Sequence, residues 1–234
     1  ATEVLIRIHN LLETGVLHRS LKDQNISLEN RVEERTHELR LSQLEVLERL
    51  ARTAEARDDD TGRHTARVGE LSRRLAEAAG ISESRQELLR RAAPLHDLGK
   101  VGIPDIILRK PGNLTCQELA IMRTHTTIGA ELLSGGKSEI MKMAERIAMS
   151  HHEWWNGEGY PSRIGGADIP IEARLVAIAD CFDALSHDRP YRDAWKPDRV
   201  IQEIQRCRRT HFDPALVDAM LDTGCYRNLS LTAA

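Results

Sequence analysis

The sequence is poor in aromatic residues, which make up 3% of its 234 positions. Sandwiches and barrels rely on aromatic and β-branched side chains, so this scarcity disfavours an all-β domain and suits helices. No apolar run approaches the roughly 20 residues of a membrane-spanning helix, and no signal-peptide pattern opens the chain. We therefore expect no membrane partner and a cytoplasmic location.

Neither sign of charge dominates, since 33 Lys and Arg stand against 36 Asp and Glu, a formal net charge of −3. This balance provides no general electrostatic footprint for a nucleic acid, so neither DNA nor RNA polymer is expected as a partner. Cysteines are few and form no CxxC pair, which favours free thiols in a reducing cytosol. They are Cys116, Cys181, Cys207 and Cys225.

Heptad spacing distinguishes the first 50 residues. One seam position holds Leu11, His18, Asn25, Val32, Leu39 and Val46. The second seam position holds Leu21 and Leu28 but fails at Arg35 and Ser42. A seven-residue repeat sustained over this length predicts a long N-terminal coiled-coil helix that forms a homodimer. An asparagine in the seam, such as Asn25, can fix the register of a parallel dimer. The alternative is one long surface helix lying on its own domain.

After Leu50 the pattern changes to shorter helices with no two-residue alternation, which predicts an all-α domain around one core. Seven helices are expected in this part of the chain. The first follows Thr61 and ends at Gly80, the second starts after Ser82 and bends at Pro94, and the third runs from Thr115 to about Gly135. The others cover Ser138 to His152 and Glu172 to Leu185, and two more begin at Pro197 and Pro214. Glycines and prolines in residues 154–170 predict a long ordered loop.

Histidine is abundant, with ten residues, and five of them occupy positions typical of metal ligands. These five are His64, His96, His125, His151 and His152. Asp60 precedes His64 by four residues, a spacing that places both on one face of a helix, and Asp97 adjoins His96. Asp180 lies in an otherwise apolar helix, where an ionised carboxylate needs a partner charge, commonly a metal.

Mixed imidazole and carboxylate ligands suit Mn, Fe or Zn. Two such ions about 3.5–4 Å apart lower the pKa of a bridging water and clamp a phosphate during in-line displacement. Asp97 is expected to bridge them, because a carboxylate has an oxygen for each ion. Lys100 lies about one helical turn beyond His96 and is expected to neutralise charge on the phosphoryl oxygens. A lone His or Asp is more often structural, but this ordered set predicts a paired-metal hydrolase.

Two segments carry a family resemblance. Residues 96–104, HDLGKVGIP, resemble the HDxGKxxIP signature of the HD-GYP domain. Residues 151–161, HHEWWNGEGYP, resemble its second signature, which ends in the triplet Gly159, Tyr160 and Pro161. The likeness extends over residues 47–221. It implies an HD-superfamily helical bundle and a metal-dependent phosphodiesterase that hydrolyses cyclic di-GMP to linear pGpG, often onward to GMP.

The resemblance also implies a bi- or trinuclear iron or manganese centre. Its ligands fall on Asp60, His64, His96, Asp97, His125, His151, His152 and Asp180. Lys100 falls on a lysine that contacts the scissile phosphate. Arg189 and Arg192 fall on arginines that hold the dinucleotide, with a solvated basic loop as the alternative. The triplet is implied to be a loop flanking the site, and it is a candidate surface for a signalling-protein partner.

Two positions depart from the family pattern. Asp60 stands where most members carry Glu, and its side chain is one methylene shorter, which favours two ions with a weak third. Asn156 stands where Asp is common, which removes a charge from the loop.

The N-terminal segment resembles parts of bacterial signalling proteins: its opening residues look like the last helix of a receiver domain, and residues 28–39 look like a linker helix. We therefore expect residues 1–50 to contain the end of a receiver-type domain and a coiled-coil linker, 51–222 the HD-GYP domain, and 223–234 a C-terminal tail. The chain is then a piece of a longer two-component signalling protein. Two alternatives stay open, a hydrolase of another cyclic dinucleotide and a low-turnover cyclic dinucleotide sensor or adaptor.

Overall fold

The computed structural model describes residues 2–55, 57, 64–188 and 193–227. These residues are helical apart from turns, loops and one isolated bridge, which confirms the all-α prediction. They form ten α-helices, namely α1 Thr2–Glu55, α2 His64–Ala78, α3 Glu83–Ala92, α4 Asp105–Leu108, α5 Cys116–Arg123, α6 His125–Leu133, α7 Glu139–Ser150, α8 Ile171–Ser186, α9 Pro197–Arg206 and α10 Pro214–Thr223. None of the helices described is both long and apolar enough to cross a membrane.

The chain divides into two compact units, Ala1–Val46 and Leu47–Ala234. The first unit consists of most of α1, and the apolar side chains that the structure describes there are exposed, for example Leu21 by 56%, Val32 by 65% and Leu39 by 60%. An isolated helix gains little stability without an apolar face to bury. The coiled-coil pairing and the boundaries at residues 50 and 222 stay predictions.

The second unit is built around α2 and α8. Helix α2 buries Val68, Leu71 and Leu75, whose spacing of three and four residues places them on one face. Helix α8 is buried on several faces, with Val176 and Ile178 both fully covered, so its sequence reads as an apolar run rather than as a stripe. A polar residue on such a buried helix is surrounded by apolar side chains and needs a hydrogen-bonding or charged partner.

Local signals set several helix boundaries as predicted. Thr115 and Glu118 form a capping box at the start of α5, and Ser138 caps α7 by accepting a bond from the Met141 amide. Pro197 and Pro214 occupy the first positions of α9 and α10, where a missing N–H costs nothing.

The single helix expected from Thr115 to about Gly135 is wrong, because the structure divides it at Thr124 into α5 and α6. Side chains around the break bond to carbonyls of the preceding turn. The Thr124 hydroxyl donates to the Ile121 carbonyl at 2.7 Å, and the Thr126 hydroxyl donates to the Arg123 carbonyl at 3.0 Å. At the same place the Thr124 N–H donates to the Ile121 carbonyl at 3.0 Å, so the chain makes a tighter turn there. His125 is the first residue of the next helix.

Candidate metal centre

His96 and Asp97 lie between two short 3₁₀ turns, Ala93–Leu95 and Leu98–Gly102. The helix expected through this region ends at Ala92, before the turn that contains Pro94. Asp97 has φ −100° and ψ 10°, in the sparsely populated bridge region where many active-site residues are found. This geometry lets the two adjacent side chains face one cavity.

Two clusters of ligand atoms share Asp97. One cluster consists of Asp97, His125, His151 and His152, and the other of His64, His96 and Asp97, with the ligand atoms of each cluster within 4.8 Å of one another. Asp97 Oδ1 lies 3.3 Å from His125 Nε2 and 3.7 Å from His151 Nε2. Asp97 Oδ2 lies 3.3 Å from His96 Nε2. Each oxygen therefore faces a different cluster, which is the arrangement of a bridging carboxylate.

Asp180 reaches the second cluster from α8. Its Oδ1 lies 3.4 Å from His64 Nε2 and 4.0 Å from His96 Nε2. The side chain is 22% exposed, so it opens towards the cavity from an otherwise buried helix. Asp180 is thus placed beside two of the candidate ligand histidines.

Hydrogen bonds at Nδ1 fix the orientation of the imidazoles. Nδ1 of His96 bonds to the Ala93 carbonyl at 2.8 Å, and Nδ1 of His125 bonds to the Met122 carbonyl at 2.8 Å. Nδ1 of His151 bonds to the Ile147 carbonyl at 3.0 Å. A carbonyl accepts only, so Nδ1 carries the proton and donates. Nε2 is therefore the nitrogen available to a metal, and its lone pair faces the cavity when the imidazole is neutral.

A buried carboxylate, Asp183, orients His64. His64 Nδ1 lies 2.7 Å from Asp183 Oδ2, and Arg67 donates to both carboxylate oxygens at 2.6 and 2.9 Å. Burial alone raises the pKa of Asp183, but the bonds from Arg67 and His64 outweigh it and lower the pKa to about 2. His187 adds a fourth nitrogen, with Nδ1 3.2 Å from Asp183 Oδ1.

The sequence patterns assigned Asp183 no role in the site. The available signal was its position three residues after Asp180 on the same apolar helix, which places both carboxylates on one face. No sequence pattern pointed to His187.

The electrostatics of the cavity favour a cation. Burial lowers the pKa of His96, but the carboxylates of Asp97 and Asp180 raise it to about 9. Burial raises the pKa of Asp97, yet Lys100 and His96 hold it well below its usual range. Burial lowers the pKa of His125 to about 4, which leaves this imidazole neutral and able to coordinate.

Two buried atoms test whether the residues fit a metal. His96 Nε2 and Asp97 Oδ1 are both buried and have no hydrogen-bond partner. Buried polar atoms without a partner are rare and costly, so each such atom requires an explanation. One atom faces each of the two clusters that share Asp97, and a divalent cation in each cluster would give each atom a partner. The donor set therefore fits a metal centre.

Lys100 lies beside the clusters, with Nζ 2.9 Å from Asp97 Oδ2. Both side chains are 19% exposed, so the ammonium group borders the open side of the cavity. This places a positive charge next to the Asp97 carboxylate.

The loop containing Gly159, Tyr160 and Pro161 lies against two of the candidate ligand histidines, His125 and His152. The Tyr160 ring stacks on His152 with centroids 4.8 Å apart, and the Arg123 guanidinium lies 4.8 Å from the Tyr160 centroid. Burial lowers the pKa of His152 and raises that of Tyr160. A Cβ on Gly159 would lie 2.3 Å from the Trp154 nitrogen, so only glycine allows this loop to close.

Asn156 lies on the exposed side of that loop. Its amide nitrogen donates to Glu158 Oε2 at 2.7 Å, and its amide oxygen accepts from the Glu158 N–H at 3.0 Å. The backbone N–H of Asn156 donates to the Thr210 carbonyl at 2.9 Å, which ties the loop to the segment before α10. Having Asn rather than Asp at position 156 therefore removes a charge from the turn of this loop. Asp60, Arg189 and Arg192 lie outside the described residues.

Comparison with known proteins connects this site to a family. Residues 45–216 match the model of the HD domain. The chain is 43% identical over 212 residues to 3'3'-cGAMP-specific phosphodiesterase 2 of Vibrio cholerae, covering 91% of this chain and 39% of that protein. It is 42% identical over 219 residues to the cyclic di-GMP phosphodiesterase response regulator RpfG of Xanthomonas campestris, covering 94% of this chain and 58% of that protein. The chain thus spans only part of the length of these relatives.

A solved structure shares the fold. A cyclic GMP-AMP phosphodiesterase of V. cholerae, V-cGAP3, superposes with a TM-score of 0.56 at 19% identity, covering 80% of this chain and 51% of that one. At that identity the likeness concerns the helical architecture alone.

Proposed function

This chain belongs to the HD domain family, and from that premise we propose that it is a metal-dependent phosphodiesterase hydrolysing cyclic di-GMP to pGpG, or onward to GMP. The observation that supports the proposal best is the placement of Asp97, whose two oxygens face two different histidine clusters. Such a shared carboxylate is what a paired-metal phosphohydrolase needs. The names of the relatives support the substrate class.

We propose two divalent ions, iron or manganese. His125, His151 and His152 would hold one, and His64, His96 and Asp180 would hold the other, with Asp97 available to both. Mixed imidazole and carboxylate donors suit these metals. Asp60 is assigned to a weak third ion or to the rim of the second. When bound, the ions lower the pKa of a water and neutralise charge on the phosphate.

The side chains then divide the reaction between them. Asp97 and the fixed Nε2 atoms define where the scissile phosphate lies. Lys100, 2.9 Å from Asp97, neutralises charge that develops on the phosphoryl oxygens. Arg189 and Arg192 are assigned to holding the dinucleotide. Hydroxide derived from water attacks phosphorus, the bond to the 3′ oxygen breaks, and that oxygen leaves with a proton.

A second substrate has a specific observation in its favour. A relative with 43% identity is named as specific for 3'3'-cGAMP, so the same site is a candidate for hydrolysis of that cyclic dinucleotide. A low-turnover sensor or adaptor is the remaining alternative, and the complete set of histidines around Asp97 argues against it.

One assay separates these functions. Metal-loaded protein is incubated with cyclic di-GMP and, separately, with 3'3'-cGAMP, beside a variant carrying His96→Ala and Asp97→Ala. Linear product from the wild type alone, with faster turnover of cyclic di-GMP, supports the first proposal. Preference for 3'3'-cGAMP selects the second. Tight binding of either nucleotide without product indicates a sensor.

The N-terminal helix supports a separate proposal, that the protein is a cytoplasmic homodimer in a two-component pathway. Exposed Leu21, Val32 and Leu39 provide an apolar seam on α1 for a second copy. We propose the loop at Tyr160 as the surface that binds a signalling-protein partner. A monomer in light scattering at micromolar concentration would contradict the dimer.

A further inference from the structure

The last residue of α1, Glu55, caps the helix that carries His64. Glu55 is 8% exposed, and its Oε1 accepts the backbone N–H of His64 at 2.8 Å and of Thr65 at 3.3 Å. Its Oε2 accepts the Thr65 hydroxyl at 2.8 Å. The first N–H groups of a helix have no partner within it, and a negative charge there is favourable. Glu55 thus fixes the start of α2, and His64 is the first residue of that helix.

Arg57, two residues later, holds the other ligand segment. Its guanidinium donates to the Val101 carbonyl at 2.6 Å, to the Ile103 carbonyl at 3.2 Å and to Asp105 Oδ1 at 2.7 Å. Val101 belongs to the 3₁₀ turn that begins directly after Asp97. One planar guanidinium therefore fixes the backbone that leads away from the bridging carboxylate.

The end of α1 is itself anchored in the second unit. Ala51 is 2% exposed and Ala54 7% exposed, and both border a small cavity with Pro94, Leu98 and Asp97 among its lining residues. Side-chain caps normally come from the residue just before a helix. Here the cap comes from nine positions before His64, on a different helix, so the position of α2 depends on that of α1.

We propose that Glu55 and Arg57 are positioning residues of the metal centre, which couple the C-terminal end of α1 to His64 on one side and to Asp97 on the other. The inference rests on the metal centre of the proposed function. It predicts that removing the Glu55 cap or the Arg57 hydrogen bonds weakens metal binding. A variant that loses similar stability at a helix far from the site should not weaken it. A movement of the last turn of α1 would change the distance between the two clusters.

The first test compares two caps. Asp213 caps α10 through the Ala215 N–H at 2.9 Å, and α10 carries no proposed ligand. Glu55→Gln and Asp213→Asn each replace a capping carboxylate by an amide. Metal-free proteins are titrated with Mn²⁺, the free ion is followed by electron paramagnetic resonance, and thermal unfolding is measured in parallel. Both variants are expected to unfold at lower temperature, but only Glu55→Gln should raise the Kd for Mn²⁺, by about tenfold.

A Glu55→Gln protein that binds Mn²⁺ as the wild type does would overturn the proposal, as would an equal weakening in Asp213→Asn. Should Glu55→Gln fail to fold, Thr65→Val decides, because it removes only the hydroxyl bond to Glu55 Oε2. A smaller rise in the Kd supports the proposal, and an unchanged Kd refutes it.

The second test concerns Arg57. Arg57→Gln removes the guanidinium, whereas Asp105→Asn removes only the charge pair and leaves the bonds to the Val101 and Ile103 carbonyls. Weaker Mn²⁺ binding in Arg57→Gln alone supports positioning, and equal effects overturn it. The readout is metal affinity, so a wild type that binds Mn²⁺ but leaves cyclic di-GMP intact refutes the proposed activity and not this inference.

Discussion

Gly99→Ala tests whether the close approach of two chain segments sets the metal centre. A Cβ at Gly99 would lie 1.9 Å from the His125 carbonyl oxygen and 2.4 Å from the Gly129 nitrogen. Both are backbone atoms, so neither can rotate away. An ordinary contact needs about 3.4 Å, so the turn after Asp97 and the start of α6 must separate by about 1.5 Å.

That separation changes the distance between Asp97 Oδ1 and His125 Nε2, which is 3.3 Å. Overpacking of this kind costs about 1–3 kcal/mol of unfolding free energy, and a displacement of about 1 Å costs about 10²-fold in rate. We expect kcat for cyclic di-GMP to fall about a hundredfold and the unfolding midpoint to fall as well. Urea unfolding and product formation under metal saturation measure the two effects.

Gly102→Ala is the matched control in the same turn. Its added Cβ meets only side-chain carbons of Ile128, at 3.0 and 3.1 Å, and that side chain can move. It should therefore retain most of the activity. Wild-type stability and kcat in Gly99→Ala would refute the reasoning, and so would equal losses in both variants.

Three further predictions concern charged groups. Asp183, with its pKa lowered to about 2, contributes about 2 kcal/mol to metal-free stability above about pH 4, and this contribution is lost as the pH falls through 2. Asp183→Asn should flatten that dependence in denaturant unfolding between pH 5 and 2, and an unchanged slope would contradict it. Because the pKa of His96 is raised to about 9, loading metal at pH 7 should release about one proton from this group, and metal affinity should rise with pH towards 9. Calorimetry in buffers of different ionisation enthalpy detects this proton release. Its absence would count against His96 as a ligand. Lys100→Ala should lower kcat by about 10²–10³-fold with little change in Mn²⁺ affinity, and a matching loss of metal would assign it a structural role instead.

Sequence patterns predicted the parts of the fold that depend on neighbouring residues. Thr115 with Glu118 and the prolines at 197 and 214 mark helix starts because capping acts over one turn. The break at Thr124 escaped prediction, because no glycine or proline marks residues 121–128. A helical period continues across such a break without any sign of it.

The site divides in the same way. The candidate ligands could be named because their residue types and motifs are unusual, and the structure places the described ones around Asp97. The groups that orient them are ordinary in sequence: Asp183 lies 119 positions from His64, and Arg57 lies 44 positions from Val101. Contacts over such separations arise only from packing, so no local pattern shows which residue Asp183 or Arg57 bonds to.

In the proposed centre, the single carboxylate of Asp97 would make its two flanking positions thermodynamically interdependent. An ion on one side would withdraw electron density from the oxygen available to the other, so each ion would weaken the affinity for its neighbour, and this linkage is reciprocal. A half-filled centre would therefore be a distinct chemical species that persists over a wide range of metal concentration. The fraction of fully loaded molecules would then rise gradually with metal supply rather than at a threshold.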